Sequence, residues 1–351
     1  MNGDHADPSG RQAPSGRGRL GLLPVGWALA LTIIVALLML TGATLIGGVL
    51  LGFREIKREP QVSAGTLFDL LKVSFALIAG AGGLVALVMA YRRQRLAEYA
   101  HELDQSTEDR ERTRIFNERF SSAAGQLGHE QAAVRLAGVY AMAGLADDWQ
   151  AHRQTCIDVL CAYLRMAYPA APADTSPEYV GWLHSREIRH TVIRVITAHL
   201  RDDAAVSWCG HDFDFTGTVF DGGDFTRAKF TGGTVIFERA KFPSGEVAFH
   251  DASFSGGIVG FWAAEFQGGR VYFPDATFCG GTVSFEEAKF VAGLVCFDRA
   301  KFVGGRVHFR AAEFDGGEVN FGDIMDWSRP PEFDTDQQPT GVLITHHPGA
   351  V

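Results

Sequence analysis

Cysteine is scarce in this chain, and its scarcity limits the sites that the protein can build. The five cysteines are Cys156, Cys161, Cys209, Cys279 and Cys296, an odd number in 351 residues. None stands in a C-x-x-C spacing, which the common zinc sites and redox motifs require. We therefore expect free thiols in a reducing compartment, with neither a disulfide framework nor a zinc site.

The chain also lacks an excess of basic residues and any common catalytic motif. The formal net charge is −9, which argues against a general affinity for nucleic acid. The chain has no phosphate-binding loop, no G-x-S-x-G and no H-E-x-x-H. His190 lies six residues after His184 and nine before His199, whereas a two-histidine metal helix needs a spacing of four. We predict no catalytic, cofactor-binding or metal-binding residue, no cofactor and no small-molecule ligand.

What the chain has is a 12-residue repeat, A-x-F-x-(G)-G-x-V-x-F-x-x, which runs eight times from Ala228 to Asp323. A fixed period of this kind predicts a stacked repeat architecture. Within each unit, the Ala–Phe and Val–Phe pairs lie on one face of an extended segment, and variable residues lie on the other. One unit cannot bury its phenylalanines alone, so neighbouring coils must stack at about 4.8 Å.

Two residue types in the repeat are the predicted structural sites. The phenylalanines should form ladders inside the coil: Phe230, Phe237, Phe242, Phe249, Phe254, Phe261, Phe266, Phe273, Phe278, Phe285, Phe290, Phe297, Phe302, Phe309, Phe314 and Phe321. The glycine at position six should form a corner, through positive φ or close backbone approach. These corner glycines are Gly233, Gly245, Gly257, Gly269, Gly281, Gly293, Gly305 and Gly317.

Just upstream, Phe215, Phe220, Phe225 and Phe230 are spaced by five residues. Together with the segments D-F-T-R (224–227) and A-K-F-T (228–231), this spacing resembles the pentapeptide-repeat family, whose unit is A-(D/N)-(L/F)-x-x. The resemblance implies a right-handed, four-sided β-helix with coils of four pentapeptides. It covers about a third of the chain and specifies the fold far more closely than the function.

The later repeats depart from the pentapeptide unit by a two-residue, glycine-containing insertion in every second pentapeptide. Two added residues preserve the alternation of inward and outward side chains. We infer a rectangular coil of 24 residues, with two long and two short sides, from two 12-residue repeats. A two-sided coil of 12 residues is the alternative, although it would hardly enclose aromatic rings.

Two apolar stretches precede this region. Leu20 to Leu51 carries no charge, and a second run extends from Leu67 to Tyr91, with Lys72 placed to snorkel near its start. Each exceeds the ~20 residues that cross a bilayer. We predict transmembrane helices at 23–51 and 67–91 joined by an external loop at 52–66. Arginines outside the hairpin outnumber the basic residues of the loop, which favours a two-pass protein of the cell membrane with both termini in the cytoplasm.

The remaining boundaries follow from composition and periodicity. We predict a disordered cytoplasmic tail at 1–22, a cytoplasmic helical domain at 92–205, the solenoid at 206–327 and a C-terminal cap and tail at 328–351. Within the helical domain, helices are expected at Glu130–Ala146, Arg153–Met166 and Ser185–Leu200. The segment 134–142 looks like the helical module that often precedes pentapeptide repeats in actinobacterial membrane proteins. Trp327 and Phe333 are expected to cover the last coil.

Three functions compete. The first is a non-enzymatic, membrane-anchored scaffold whose partners are the lipid bilayer and another protein. The second follows from the resemblance, since some pentapeptide-repeat proteins inhibit DNA gyrase by mimicking DNA. That role wants a strongly acidic shaft, whereas the residues from Cys209 to Asp323 include sixteen acidic and ten basic residues with the signs interleaved. The third is an enzyme, for which the sequence offers no set of catalytic residues. We predict the scaffold.

Overall fold

The computed structural model describes residues 64–334 and 341–344, together with scattered positions between 30 and 49. The predicted tail 1–22 lies outside the described residues, as do most of 23–51 and of 52–66. The chain divides into two compact units, Met1–Asp109 and Arg110–Val351. The second unit contains three complete helices and the strands, and it is described below.

Four α-helices lie between residues 64 and 200, before the first strand. They are α1 (Ala64–Leu127), α2 (Ala132–Asp148), α3 (Arg153–Arg165) and α4 (Tyr179–His199), with a short 3-10 turn at Gln150–His152. Helix α4 begins at Tyr179, well before the predicted Ser185. Its extra turns are held by Trp182, whose indole N–H donates to the carbonyl of Pro169 at 3.2 Å. Because this contact is tertiary, the local sequence pattern does not show it.

The prediction of a two-pass membrane protein is wrong. In the part of the chain that the structure describes, no helix is both long enough and apolar enough to cross a bilayer. The second predicted span, 67–91, is the early part of α1, which continues through strongly charged turns to Leu127. Asp69 and Lys72 form an ion pair of 3.2 Å within that span, with side chains 77% and 78% exposed. The apolar run alone suggested a span, but it is embedded in a longer, charged helix.

The helices of the second unit share one core. Apolar residues at helical spacing of three and four turn one side of each helix inward. Fully or almost fully buried members are Phe116, Ala123 and Leu127 of α1, Val139 and Met142 of α2, Ile157 and Leu160 of α3, and Val192 and Ile196 of α4. This core is continuous with the phenylalanines of the first coils, so the helical domain and the solenoid pack as neighbours in one unit.

Seventeen short strands follow. They are β1 (Phe213–Asp214), β2 (Gly223–Asp224), β3 (Lys229–Phe230), β4 (Thr234–Ile236), β5 (Lys241–Phe242), β6 (Glu246–Ala248), β7 (Ser253–Phe254), β8 (Ile258–Gly260), β9 (Glu265–Tyr272), β10 (Thr277–Phe278), β11 (Thr282–Ser284), β12 (Lys289–Cys296), β13 (Lys301–Phe302), β14 (Arg306–His308), β15 (Glu313–Phe314), β16 (Glu318–Phe321) and β17 (Val342–Ile344). They form three parallel sheets. The orders are β1-β4-β8-β11-β14, β13-β10-β7-β3 and β17-β16-β12-β9-β6-β2, with β15 beside β12 and β5 beside β9. A helical domain is thus followed by a β-solenoid.

Strand register sets the length of the coil. Phe254 pairs with Phe230 on one side and with Phe278 on the other, so that paired residues are 24 positions apart. Phe266 lies in a different sheet, where it pairs with Phe242 and Phe290. Each coil therefore consumes two sequence repeats, and the coil of 12 residues does not occur.

The phenylalanines of the repeats lie in four columns inside the solenoid. The columns are Phe230–Phe254–Phe278–Phe302, Phe237–Phe261–Phe285–Phe309, Phe242–Phe266–Phe290–Phe314 and Phe249–Phe273–Phe297–Phe321. Stacked centroids are between 4.6 Å and 5.0 Å apart. Rings of the Phe237 and Phe249 columns meet edge to face, as Phe249 and Phe261 do at 79°, and rings of the other neighbouring columns are tilted, as Phe249 and Phe254 are at 44°. All are buried except Phe314, which is half-buried. Stacked and edge-to-face contacts are the favourable arrangements of aromatic rings.

All eight corner glycines lie close to the backbone of the preceding coil, but they do not all have the same φ angle. Gly257 has φ +68°, whereas Gly305 has an ordinary φ. At each of the eight positions an added Cβ would lie within 3.0 Å of backbone atoms of the preceding coil, for example 2.2 Å from the carbonyl oxygen of Gly233 at Gly257. Any larger residue would push two coils apart there, and this explains why glycine recurs at position six.

Residues with left-handed backbone occur at a second, unexpected position, directly before the repeated alanine. They are Arg227, Arg239, Asp251, Ala263, Asp275, Glu287, Arg299 and Ala311, with φ between 49° and 63°. Asp323, which stands before Ile324 at the equivalent place, has φ 44°. Non-glycine residues adopt this conformation at an energetic cost. Here it is imposed by pairing between coils, since Ala263 N–H donates to the carbonyl of Glu286 at 2.9 Å. The regular left-handed residue thus falls where the sequence carries no glycine.

Both ends of the solenoid are covered. At the first coil, side chains of α3, of α4 and of the segment just after α4 donate to backbone carbonyls: Arg165 to Asp214 at 2.6 Å, Thr197 to Asp224 at 2.7 Å and Arg201 to Thr226 at 3.0 Å. At the last coil, Phe333 stacks on Phe309 at 4.9 Å and Trp327 meets Phe302 edge to face at 5.4 Å. Covering the unpaired backbone groups of a terminal coil removes a template for edge-to-edge association.

Candidate functional site

A groove lies between helix α4 and the outer surface of the first coils. We call it the α4 groove, and its volume is about 680 Å³. It is lined by Arg186, His190 and Arg194 of α4, and by Gly222, Gly223, Asp224, Thr226, Glu246, Ala248, His250 and Asp251 of the solenoid. One wall is therefore helical and the other is the outward face of the β-coils, and both belong to the second unit.

The glycine pair at the bottom of the groove lets the helix approach the coil. A Cβ added at Gly222 would lie 3.1 Å from the Cε1 atom of His190, and one added at Gly223 would lie 3.2 Å from the Cδ1 atom of Ile193. Gly222 also has φ +137°. The G-G step thus has a packing role that differs from that of the corner glycines, because the atoms nearest to an added Cβ belong to a helix.

A buried carboxylate fixes α4 against the first coil. Asp221 receives hydrogen bonds from Tyr168 Oη at 2.8 Å and from Arg186 Nε at 3.0 Å, and its other oxygen is 2.9 Å from His190 Nε2. Burial by itself would raise the pKa of Asp221, but the hydrogen bonds of His190 and Tyr168 and the charge of Arg186 outweigh it, so the pKa lies below its usual value. Charge-assisted hydrogen bonds of this kind hold two elements in one geometry.

A second polar network lies on the other side of α4. Trp208 Nε1 donates to Asp147 at 2.9 Å, and His199 Nε2 lies 3.1 Å from the other oxygen of the same carboxylate. The rings of His199 and Trp208 stack at 4.0 Å. The network links the end of α2, the end of α4 and the chain that enters the first coil. Its geometry is that of a structural brace, since each polar group already has a partner.

The carboxylates on the solenoid wall of the α4 groove are differently placed. Glu246 and Asp251 are exposed, and neither forms an ion pair in direct contact among the described residues. Glu246 lies in register with Arg270 on the neighbouring strand, and Asp251 is near enough to Arg299 to raise its pKa. His250, between them along the wall, is exposed as well. By contrast, Arg186 on the helical wall is bound to Asp221, and Arg194 is bound to Glu187 at 2.8 Å. The charge that remains available to a partner in this groove is therefore negative.

Elsewhere the outward face of the solenoid carries charges that alternate in sign. Lys241, Glu265, Lys289 and Glu313 lie side by side in register on neighbouring strands. Lys289 and Glu313 form an ion pair of 3.2 Å, and Arg299 pairs with Asp275 at 2.9 Å in another column. Opposite charges directly across a sheet stabilise the pairing, so these columns serve the shaft itself.

The histidines His190 and His199, weighed as metal ligands in the sequence, lie in separate places in the fold. His190 binds Asp221 and His199 binds Asp147, in separate networks. Across the residues that the structure describes, no three metal-ligating side chains come together. Sequence reasoning missed the α4 groove and the Asp221 cluster. Asp221 lies 31 to 53 positions from His190 and Tyr168 in the chain. The sequence marks this place only by the pair Gly222–Gly223, which stands within the regular five-residue spacing from Phe220 to Phe225.

Comparison with known proteins supports the assignment of the first coils. Residues 215–265 match the family described as Pentapeptide repeats (9 copies). This match covers less than half of the chain, and it includes the solenoid wall of the α4 groove. Neither the curated proteins nor the solved structures yield a match. The findings support the pentapeptide repeat and the solenoid, but they give no support to the actinobacterial or membrane part of the resemblance.

Proposed function

We propose that the protein is a non-enzymatic protein-interaction module and that the α4 groove is the surface that contacts its partner. Pentapeptide-repeat proteins are protein-interaction modules, and the β-solenoid of that fold is typically non-catalytic. The observation that carries the proposal is the groove itself. It has a helical wall and a β-coil wall, a volume of about 680 Å³, and the exposed carboxylates of Glu246 and Asp251, which form no direct ion pair.

The chemistry of the groove selects a class of partner. Glu246 and Asp251 present negative charge beside the imidazole of His250, at a place where α4 prevents access from one side. A protein segment with lysine or arginine side chains complements this arrangement, and charge complementarity contributes mainly to specificity and association rate. The partner is therefore expected to be a protein with a basic segment, bound more weakly as salt concentration rises.

The proposal is tested by reversing the charge of the groove. The variant Glu246→Lys/Asp251→Lys should lose capture of the partner from a lysate of the native cell, measured by quantitative mass spectrometry. The matched control is Glu287→Lys/Asp315→Lys, which makes the same change of net charge at exposed positions outside the groove. If the groove variant retains every protein that the wild type captures, the α4 groove is not the contact surface.

The alternative of a DNA mimic that inhibits a topoisomerase such as DNA gyrase depends on the charge of the shaft. A mimic needs columns of one sign that match phosphate spacing, whereas Lys241, Glu265, Lys289 and Glu313 alternate. We therefore do not adopt that alternative. Inhibition of DNA supercoiling by the purified protein would reverse this choice, and the groove variant would then be expected to inhibit equally well.

A further inference from the structure

A second cavity lies within the helical domain, away from the α4 groove. Its volume is about 330 Å³, and it is bounded by the end of α1, the start of α2, the end of α3 and helix α4. We call it the arginine pocket. The lining residues that matter here are Leu127, Arg135, Tyr163, Met166, Tyr168 and Arg189. Two guanidinium groups therefore share one small cavity with two phenol rings and an apolar wall.

Arg189 is the most buried charged residue of the described chain, with only 5% of its surface exposed. Its Nη2 atom donates to the carbonyl of Val219 at 3.0 Å, and its guanidinium lies 4.4 Å from the centre of the Tyr168 ring. Neither contact supplies a negative charge. Burial lowers the pKa of Arg189, although the nearby Tyr168, Asp221 and Tyr163 act in the opposite direction, so the loss of water outweighs the electrostatic support that the fold gives to the guanidinium.

Arg135 enters the pocket from the start of α2. Its Nη1 atom donates to the backbone carbonyls of His129 and Glu130 at 3.1 Å and 3.0 Å. Its Nε atom is buried and has no hydrogen-bond partner. The carboxylate of Glu130, which also lines the pocket, is exposed and pairs with neither guanidinium. A buried donor without a partner is costly, so its presence calls for an explanation.

Other arginines of the same domain show what these two lack. Arg165 is 2.8 Å from Asp214, Arg186 is 3.0 Å from Asp221 and Arg194 is 2.8 Å from Glu187. In the described part of the chain, no carboxylate lies within ion-pair distance of Arg135 or Arg189. Arg189 is nearly fully buried without a carboxylate in direct contact, and a buried charge is stabilised by a group that pairs with it. The pocket is large enough to admit such a group.

We propose that the arginine pocket binds a small ligand that carries an oxyanion, either a carboxylate or a phosphate group, on a compact apolar or aromatic body. The planar guanidinium groups match either oxyanion, with two parallel N–H donors each. Tyr163, Tyr168, Leu127 and Met166 provide the surface for the apolar body. The Nε atom of Arg135 gains the acceptor that it lacks. The site is separate from the α4 groove and does not depend on the function proposed for it.

The full chain is tested by isothermal titration calorimetry with four probes. Benzoate and phenyl phosphate carry the two oxyanions on one aromatic body, benzamide is the neutral isostere and acetate is the anion without the body. Saturable binding of benzoate or phenyl phosphate, at least about tenfold tighter than benzamide, is expected because charged hydrogen bonds distinguish them. Whichever of the two binds more tightly identifies the oxyanion. Equal binding of benzoate, phenyl phosphate and benzamide, or no saturable binding of either anion, overturns the proposal.

Variants assign the binding to the two arginines. Arg135→Gln and Arg189→Gln should each weaken the preferred anion by about tenfold or more. Arg194→Gln, on the same helix but outside the pocket and exposed, should leave its affinity unchanged. Arg189→Lys keeps the charge and removes the planar fork, and it should also bind more weakly if it folds. Undiminished binding in both glutamine variants overturns the proposal, and the comparison of probes on the wild-type chain stands even if a variant fails to fold.

Discussion

The ring of Phe254 stacks on that of Phe278, with centroids 4.8 Å apart and planes inclined by 3°. These two residues are 24 positions apart, while Phe266, only 12 positions from Phe254, stacks on Phe242 and Phe290 in another column. Coupling between substitutions should therefore follow the coil and not the sequence repeat. Phe254→Ala and Phe278→Ala should each lower the free energy of unfolding by about 3–5 kcal/mol, and together they should be non-additive by about 0.5–3 kcal/mol.

The control for this double-mutant cycle is the pair Phe254→Ala and Phe266→Ala, measured by urea denaturation in the same way. Since these rings lie in different columns, their effects should add to within about 0.5 kcal/mol. A larger coupling for Phe254 with Phe266 than for Phe254 with Phe278 would contradict the column assignment.

The left-handed residues offer a test with two adjacent alanines. Ala263 has φ +49° and Ala264 is fully buried. Ala263→Gly should raise the free energy of unfolding by roughly 0.5–1 kcal/mol, because the relief of backbone strain exceeds the entropy cost of glycine. Ala264→Gly should lower it by about 1–2 kcal/mol, since a buried methyl group is lost from an ordinary backbone. Thermal and urea unfolding would reveal an error here if both glycines acted in the same direction.

The corner glycines separate backbone angle from steric contact. Gly257→Ala combines φ +68° with a Cβ 2.2 Å from the carbonyl oxygen of Gly233, so we expect a loss of more than about 3 kcal/mol. Gly210→Ala, with φ +84° and open space around the added Cβ, should cost only about 1–2 kcal/mol. Similar losses in both variants, measured by urea denaturation, would mean that contact between coils contributes nothing.

The Asp221 cluster predicts a pH-dependent loss of stability in acid. The pKa of the Asp221 carboxyl in the folded protein is below its usual value. The contribution of this carboxylate to the free energy of unfolding is therefore complete above the unfolded pKa of about 3.9, and it is lost as the pH falls through the pKa of the folded state. Asp221→Asn should lower the free energy of unfolding by about 3 kcal/mol at pH 7. The difference from wild type should shrink below about pH 4. Urea denaturation at a series of pH values checks this, and a difference that stays constant into acid would exclude the carboxylate as its source.

The sequence predicted those parts of the fold in which a contact recurs. Phe230, Phe254 and Phe278 share one environment in successive coils, so the period appears in the sequence as clearly as in the structure. The left-handed residues recur just as regularly, but Arg239, Asp251 and Ala263 share no side-chain chemistry, because pairing between coils imposes the backbone angle. When hydrogen bonds to a neighbouring coil impose a backbone conformation, the residue type at that position need not be conserved among the repeats, so the sequence gives no sign of it.

The candidate sites were beyond sequence reasoning for a different reason. Asp221, His190 and Tyr168 come together only when α4 lies against the first coil, and no local pattern encodes that contact. Arg189 looks in the sequence like one more basic residue of an amphipathic helix, although it is nearly fully buried. The membrane prediction failed because it relied on a local pattern alone. It considered the apolar run 67–91 apart from the long charged helix that contains it.

The mismatch between a repeat of 12 and a coil of 24 has a consequence for how such a shaft changes in length. Phe333 stacks on Phe309 because an even number of repeats separates the cap from the first coil of its column. Insertion of one repeat would bring Phe333 beneath the opposite column and would exchange every long side of the last coils with its counterpart. Insertion of two repeats restores the match and adds about 4.8 Å of height. Viable gene duplications and deletions in this region should therefore come in blocks of two repeats. The solenoid can lengthen or shorten only by one whole coil at a time.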